Sequence, residues 1–311
     1  MAINNNGTYT FVGPMANAWF SRMFTQSVTY TKVFRQEKVK HSVVLPSFDV
    51  TNPFDDFSCD DPAGNEDVEF NPVVLTVSPI TIFKKICADD LFGTDLSQWL
   101  KPGSANDTII GTPLEEQIMM VLEKASAEQL EQLLWRGDTT LGAGSPLRFI
   151  NGFLKQMTTA SVPTVSGAVP ITSANFVTEM NRMKDAILTA FPDNAYDEDF
   201  IWIVPNHIRG LLYGQSGATN TGNGHMTDWS QVPLQWDGIK IDAVPGISPS
   251  NMVAGRWLSL AVGTDLTDDM ARVGVLDMYA QDLTPVTKMR ADFKLGTAIR
   301  SAPDQLLWYK P

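Results

Sequence analysis

The stretch from Lys32 to Phe83 constrains this chain most, because it reverses its charge partway along and interrupts its apolar runs with proline. Thr31 to Lys40, TKVFRQEKVK, sets Lys32, Arg35, Lys38 and Lys40 against one acid, Glu37. From His41 to Phe83 there is no Lys or Arg, while Asp49, Asp55, Asp56, Asp60, Asp61, Glu66, Asp67 and Glu69 crowd a region punctuated by Pro46, Pro53, Pro62 and Gly64. Strand-like runs, Val39 to Leu45 and Val68 to Phe83, flank that region and predict a long hairpin with an acidic tip. Pro72 and Pro79 cannot donate to a ladder, so these strands belong at an edge or bend. Blocks of one sign repel internally and attract the opposite sign elsewhere. The layout suits contact between copies of the chain, with Lys32, Arg35, Lys38 and Lys40 of one meeting Asp55, Asp56, Asp60 and Asp61 of the next. A solvated loop is the competing reading of the same charges.

Downstream, TPLEEQIMMVLEKASAEQLEQLLWRGD carries the strongest helix signal. Thr112 is placed to N-cap it, Pro113 to open the first turn and Glu115 to close a capping box. Leu114, Ile118, Val121, Leu122 and Ala125 share one face, Leu130, Leu133 and Leu134 extend it, and a left-handed Gly137 ends it. Ser126 with Gln129 offers a second start, which predicts a kink. Asn151-Gly152 in PLRFINGFLKQM reads as a tight turn, and Thr158 to Ser173 as a linker. A second amphipathic helix, Ser173 to Phe191, lines up Phe176, Met180, Met183, Ile187 and Phe191. FIWIVP, Phe200 to Pro205, reads as a strand buried on both faces, with a short helix, NHIRGLLYG, after it. Thr219 to Asp237 is loop-like, and GIKIDAVPGI, MVAGRWLSLAVG, VGVLDMY, PVTKMRADFKLGTAIRS and DQLLWYKP return as strands. Helix, mixed layer and returning strands predict an α+β fold with a discontinuous domain. Met1 to Val28, with Phe11, Trp19, Phe20 and Phe24, reads as an arm whose rings need a surface outside its own domain.

At 311 residues the chain has room for about two domains and a sizeable core. Charged residues make up only 19%, which fits a chain that hides surface in an assembly. A net charge of -12 argues against tight wrapping of nucleic acid and leaves only passive contact with it. Cys59 and Cys87 match no metal-ligand spacing and form no disulfide framework, so folding in a reducing cytoplasm is expected. MAINNNGTYTFVG is not a signal peptide, and no run approaches the ~18 apolar residues of a membrane span.

Catalytic chemistry finds little support. His41, His207 and His225 stand far apart without ligand spacing. Gly214-Gln215-Ser216-Gly217 is not a nucleophile elbow, since position 218 is Ala. The acidic strings Asp193 to Asp199 and Asp265 to Asp269 lack the Gly and terminal Glu of a calcium loop and read as caps and turns. Arg136-Gly137-Asp138 is explained by a helix end. Trp19, Trp99, Trp229 and Trp236 are interface candidates, and Trp202 and Trp257 core candidates. No catalytic, cofactor or metal residue is assigned.

Taken in order, these elements resemble the major capsid proteins of tailed double-stranded DNA phages. The likeness covers most of the chain and is carried by the helix into LWRGD, FINGFLKQ, FIWIVPNHIRGLLYG, NMVAGRWLSLAVGTDL and KLGTAIRSAPDQLLWY. It implies an HK97-like α+β capsid fold: an N-terminal arm (1–31), an extended loop hairpin (32–85), a peripheral domain (86–157 and 256–311) built on a spine helix (112–135), and an axial α/β domain (158–255). It further implies self-association in pentamers and hexamers, possible scaffold, portal and decoration partners, packaged DNA as a non-specific neighbour, no membrane, and a place in the virion after assembly in the host cytoplasm. Some relatives join a Lys to an Asn covalently, and Lys32, Lys38 and Lys40 lie in the corresponding region, but nothing marks a partner Asn or an activating carboxylate, so a crosslink is not assigned. Encapsulins share this shell fold, which makes an enzyme-packaging compartment the alternative. A metal-dependent hydrolase using Asp265 to Asp269 is a more distant one.

Overall fold

A computed structural model of the chain describes residues 8–12, 22–46, 48–50, 68–70, 72–87, 113–219, 234–265, 272–278, 284, 286–301 and 303–311. The first half runs β1 (Thr8–Val12), α1 (Val28–Lys32), β2 (Phe34–Gln36), β3 (Ser42–Leu45), β4 (Phe48–Val50), β5 (Val68–Phe70), β6 (Val73–Thr76), β7 (Ser78–Cys87) and α2 (Pro113–Arg136). It continues through α3 (Phe153–Thr159), α4 (Phe176–Ala190), β8 (Phe200–Pro205), α5 (Asn206–Thr219), β9 (Gln235–Trp236) and β10 (Ile239–Val244). Five strands follow: β11 (Met252–Arg256), β12 (Leu260–Thr264), β13 (Arg272–Asp277), β14 (Val286–Ile299) and β15 (Leu307–Tyr309).

These strands form two main sheets. The first is ordered β1-β13-β14-β12-β2 with β7 also on β14, and the second β15-β11-β8-β10-β9. Two short antiparallel pairs, β3 with β6 and β4 with β5, lie within the runs Val39 to Leu45 and Val68 to Phe83 and the residues between them, where a hairpin is expected. Val68 to Phe83 is not one strand, however: the ladder breaks at Pro72 and again at Val77, whose N–H turns to the carbonyl of His41. Pro79 sits in β7, which among the described strands pairs only with β14, an edge position of the kind that tolerates a missing donor.

The apolar run FIWIVP is buried because β8 is covered on both sides. Ile203 joins the core made by α2 and the first sheet, whereas Phe200, Trp202 and Val204 pack beneath α4. The α4 stripe is as expected: Phe176, Met180, Met183 and Ile187 are fully buried. The last strand, β15, splits likewise, with Trp308 in the first core and Leu307 and Tyr309 in the second.

Several local expectations are corrected. The spine helix α2 is unbroken from Pro113 to Arg136, so Ser126 starts nothing; Thr112 lies outside the described residues. Its fully buried apolar stripe begins at Ala127; Met119 and Leu122 are half-buried against the same core, while Val121 and Ala125 are exposed. Gly137 is absent from the left-handed region. A Cβ there would clash with the carbonyls of Leu133 and Ile150, so glycine serves close backbone approach instead. Asn151-Gly152 makes no hairpin turn: Gly152 is the N-cap of α3, a helix the composition did not signal. The described parts of the arm pack on their own chain, and Trp19 and Phe20 lie outside the described residues. Phe24 is buried against Tyr30 and Phe293, and β1 extends the first sheet through β13.

Candidate assembly surface

The hairpin lies flush on the first sheet because two side chains are missing beneath it. A Cβ on Gly296 would run into the backbone carbonyl of Thr76, and one on Gly263 would meet Leu75 at 2.8 Å. With the backbone so placed, period-two alternation sends Leu45 and Leu75 inward onto Ala261 and Ala298. Val44 and Val74, directly opposite each other in the register, face outward and are 54% and 60% exposed. Solvent-facing strand positions are ordinarily polar, so this paired apolar face has the chemistry of a contact surface.

The C-terminal half of α2 is anchored by a buried carboxylate. Glu131 accepts from Ser27 Oγ at 2.8 Å, the Thr29 N–H at 2.8 Å and Thr29 Oγ1 at 2.7 Å, while Trp135 Nε1 donates to Thr29 Oγ1 at 2.7 Å. Ser27 also caps α1, accepting from the Tyr30 N–H. These contacts fasten residues 27–30 along the helix. One turn and more toward its N-terminus, Gln26 donates to the buried Glu123 at 2.8 Å, whereas Met120 and Val121 are 51% and 68% exposed.

Lys32 pairs with Asp242 of β10 at 2.9 Å, an oxygen that Trp257 Nε1 also reaches at 2.8 Å, and lies 5.6 Å from the Trp257 ring. Its charge thus ties α1 to the second sheet. Arg35 sits over the Tyr30 ring at 5.6 Å. Lys38 adopts a φ of 63°, and Lys38 and Lys40 are exposed, with the Lys40 carbonyl accepting from Lys294 Nζ at 2.5 Å. Asp55, Asp56, Asp60 and Asp61 lie outside the described residues.

The other candidate residues have ordinary duties. His41 is exposed, burial pushes the His207 imidazole down, and His225 lies outside the described residues. Asp197 pairs with Arg256 at 3.1 Å, and the Glu198 carbonyl accepts from Lys240 at 3.0 Å. Asp265 is buried against Lys294 at 3.3 Å, and residues 266–271 lie outside the description. Among the described residues no cluster of three His, Cys, Asp or Glu is placed to hold a metal. Asp138 accepts from the Thr140 N–H and hydroxyl and from Lys155, which lowers its carboxyl to about 2. Tyr309 is pushed up to about 12 by burial and by donating to Glu179 at 2.5 Å.

Trp202 and Trp257 are buried as expected. Trp236 is half-buried within its own chain, edge-on to Phe176 at 5.8 Å and donating to Asn181 Oδ1 at 3.2 Å. Trp19, Trp99 and Trp229 lie outside the described residues. Sequence reasoning missed Val44 and Val74, although SVVL and VVLT carry a signal: both phases of their alternation are apolar.

No protein-family model matches the chain, and no curated protein matches its sequence. Solved structures do match its fold. A chain of the satellite phage P4 procapsid, in a structure that includes its size determination (Sid) protein, aligns with a TM-score of 0.60 at 12% identity, covering 97% of this chain and 92% of that one. A chain of Microbacterium phage Oxtober96 aligns at 0.55 and 12% identity over 92% and 91%. The capsid of a native GTA particle gives 0.54 and 12% over 92% and 91%. The chain has the α+β, HK97-like capsid fold that its element order implies.

Proposed function

We propose that this chain is the structural shell subunit of a tailed phage, self-assembling into the icosahedral head that encloses the double-stranded DNA. The observation that carries this reading is a nearly end-to-end fold likeness to phage procapsid and capsid chains. The outward Val44–Val74 face and the exposed Met120 and Val121 of α2 support it, since a shell subunit needs apolar surface that only another copy covers. The role is structural rather than enzymatic. Residues 86–157 and 256–311 form a peripheral domain around α2, and residues 158–255, completed by β15, form the axial domain that meets its mates in pentamers and hexamers. Scaffold, portal and decoration proteins are the expected partners, the virion the final location, and the host cytoplasm the place of assembly. DNA is a non-specific neighbour, in keeping with the net charge of -12.

The test is light scattering coupled to gel filtration of the purified chain, with electron microscopy of each peak. Rings or closed shells are expected. A chain that stays monomeric at high salt, under crowding and beside candidate scaffold proteins overturns the reading.

A further inference from the structure

Along β7 the alternation of faces puts a charge on the apolar side. Ile80 stands opposite Phe293, Ile82 opposite Ala291 and Lys84 opposite Met289, so Lys84 projects from the side of the sheet on which Met289, Ala291 and Phe293 are buried. That side meets α2 across a groove of about 350 Å³, with Ile80, Ile82 and Lys84 on the strand and Leu122, Gln129 and Leu133 on the helix. The groove is elongated. Residues 80–84 run about 13 Å along the strand, and residues 122–133 about 16 Å along the helix. No Asp or Glu lines it, and among the described residues Lys84 has no carboxylate within ion-pair distance. Gln129 Nε2 is buried without a hydrogen-bond partner. A chain with 35 acidic and 23 basic residues thus sets an ammonium and an unused amide N–H beside an apolar slot.

A lysine stem commonly lies along apolar surface with its ammonium in water, which by itself accounts for Lys84. It does not account for Gln129, because buried N–H groups find an acceptor in the great majority of cases. An occupant that brings anionic oxygen answers both donors. Volume limits its size: an apolar cavity of about 150 Å³ holds one benzene, so this groove takes roughly twice as much, a single chain of about ten to twelve carbons. A docked amphipathic helix needs seats for several side chains along its face, more than one narrow slot offers. We propose that the groove between α2 and β7 binds a single-chain amphiphile with a carboxylate head, of the fatty-acid class. Lys84, exposed at the rim, pairs with the head, the Gln129 amide donates to a carboxylate oxygen, and the chain lies between Ile80, Ile82 and the leucines of α2. Every lining residue belongs to one copy, so this binding does not depend on the shell reading.

The experiment titrates the full chain by calorimetry with decanoate, decanol and decyltrimethylammonium, each below the concentration at which it self-associates. Saturable one-to-one binding is expected, with decanoate at least about tenfold tighter than decanol and decyltrimethylammonium weakest. Lys84→Gln should weaken decanoate at least about fivefold and leave decanol unchanged, and Lys84→Glu should reverse the order of the two charged amphiphiles. Ala125 is exposed and lines the groove, so Ala125→Phe fills the slot from a position that tolerates bulk. It should weaken all three at least about tenfold while circular dichroism stays that of the wild type. No saturable binding overturns the inference, and so does binding that Ala125→Phe leaves intact, since the amphiphile then sits elsewhere. Equal affinity for decanoate and decanol, unmoved by Lys84→Gln, overturns the carboxylate head. If no amphiphile binds and Ala125→Phe blocks assembly, the groove belongs to a second copy, which overturns the inference while the shell reading stands.

Discussion

Replacing Glu131 tests how the N-terminal segment is fastened to the spine helix. Three donors converge on this buried carboxylate: the Ser27 hydroxyl, the Thr29 N–H and the Thr29 hydroxyl. Glu131→Ala leaves all three without an acceptor, at about 1–3 kcal/mol for each buried group. Some relaxation and water entry reduce the sum, so a loss of about 3–5 kcal/mol is expected. Glu131→Gln keeps one carbonyl for Ser27 and the Thr29 N–H but turns an amide toward Thr29 Oγ1, which already accepts from Trp135. It loses one charge-assisted bond, about 1.5–3 kcal/mol. Urea unfolding of the unassembled subunit measures both variants, and hydrogen exchange at residues 27–32 reports local release. The order wild type, Gln, Ala is required. An Ala variant within about 1 kcal/mol of wild type, with unchanged exchange at Thr29 and Tyr30, refutes the argument.

Val44→Thr/Val74→Thr keeps β-branching, so subunit stability should stay within about 1 kcal/mol of wild type. If the pair is buried between copies, the hydroxyls weaken assembly more than tenfold, read by light scattering; unchanged assembly removes this face from the interface. Gly296→Ala drives a methyl into the Thr76 carbonyl and should cost about 1–3 kcal/mol while loosening protease protection of residues 42–76; a neutral result shows that β6 shifts freely. The raised Tyr309 hydroxyl gives a signed pH dependence. The unfolded phenol ionises near 10 and the folded one near 12, so its stabilisation is complete below about pH 10 and is lost as pH rises toward 12. Tyr309→Phe should flatten that alkaline loss in urea titrations between those limits, and an unchanged slope refutes the assignment.

Much of the fold follows from local pattern. The period of Phe176, Met180, Met183 and Ile187 is helical whatever surrounds it, and all four are buried. FIWIVP lacks a polar phase, so only a strand covered on both faces accommodates it. The prolines at 72 and 79 require a break and an edge, because an absent N–H cannot be supplied by context. Ladder register, by contrast, is a property of pairs of segments. That Lys85 faces Lys288, 203 positions along the chain, depends on the intervening segment returning in one alignment, which neither strand encodes alone.

For the same reason the charge block at Lys32 to Lys40 is legible as composition, but its contacts within the chain are not. Lys32 pairs with Asp242, more than 200 residues away in sequence, and only tertiary packing brings those groups to 2.9 Å. Gly137 and Gly152 were each explicable as helix end or turn. Their actual role is mutual backbone approach, since a Cβ on Gly152 would come 2.6 Å from the Gly137 nitrogen. Residue type and spacing settle which elements form and which face of each is apolar, because those are short-range effects of sterics and solvation. Which apolar face stays uncovered, and which charges remain for another copy, is settled only when distant segments close over one another.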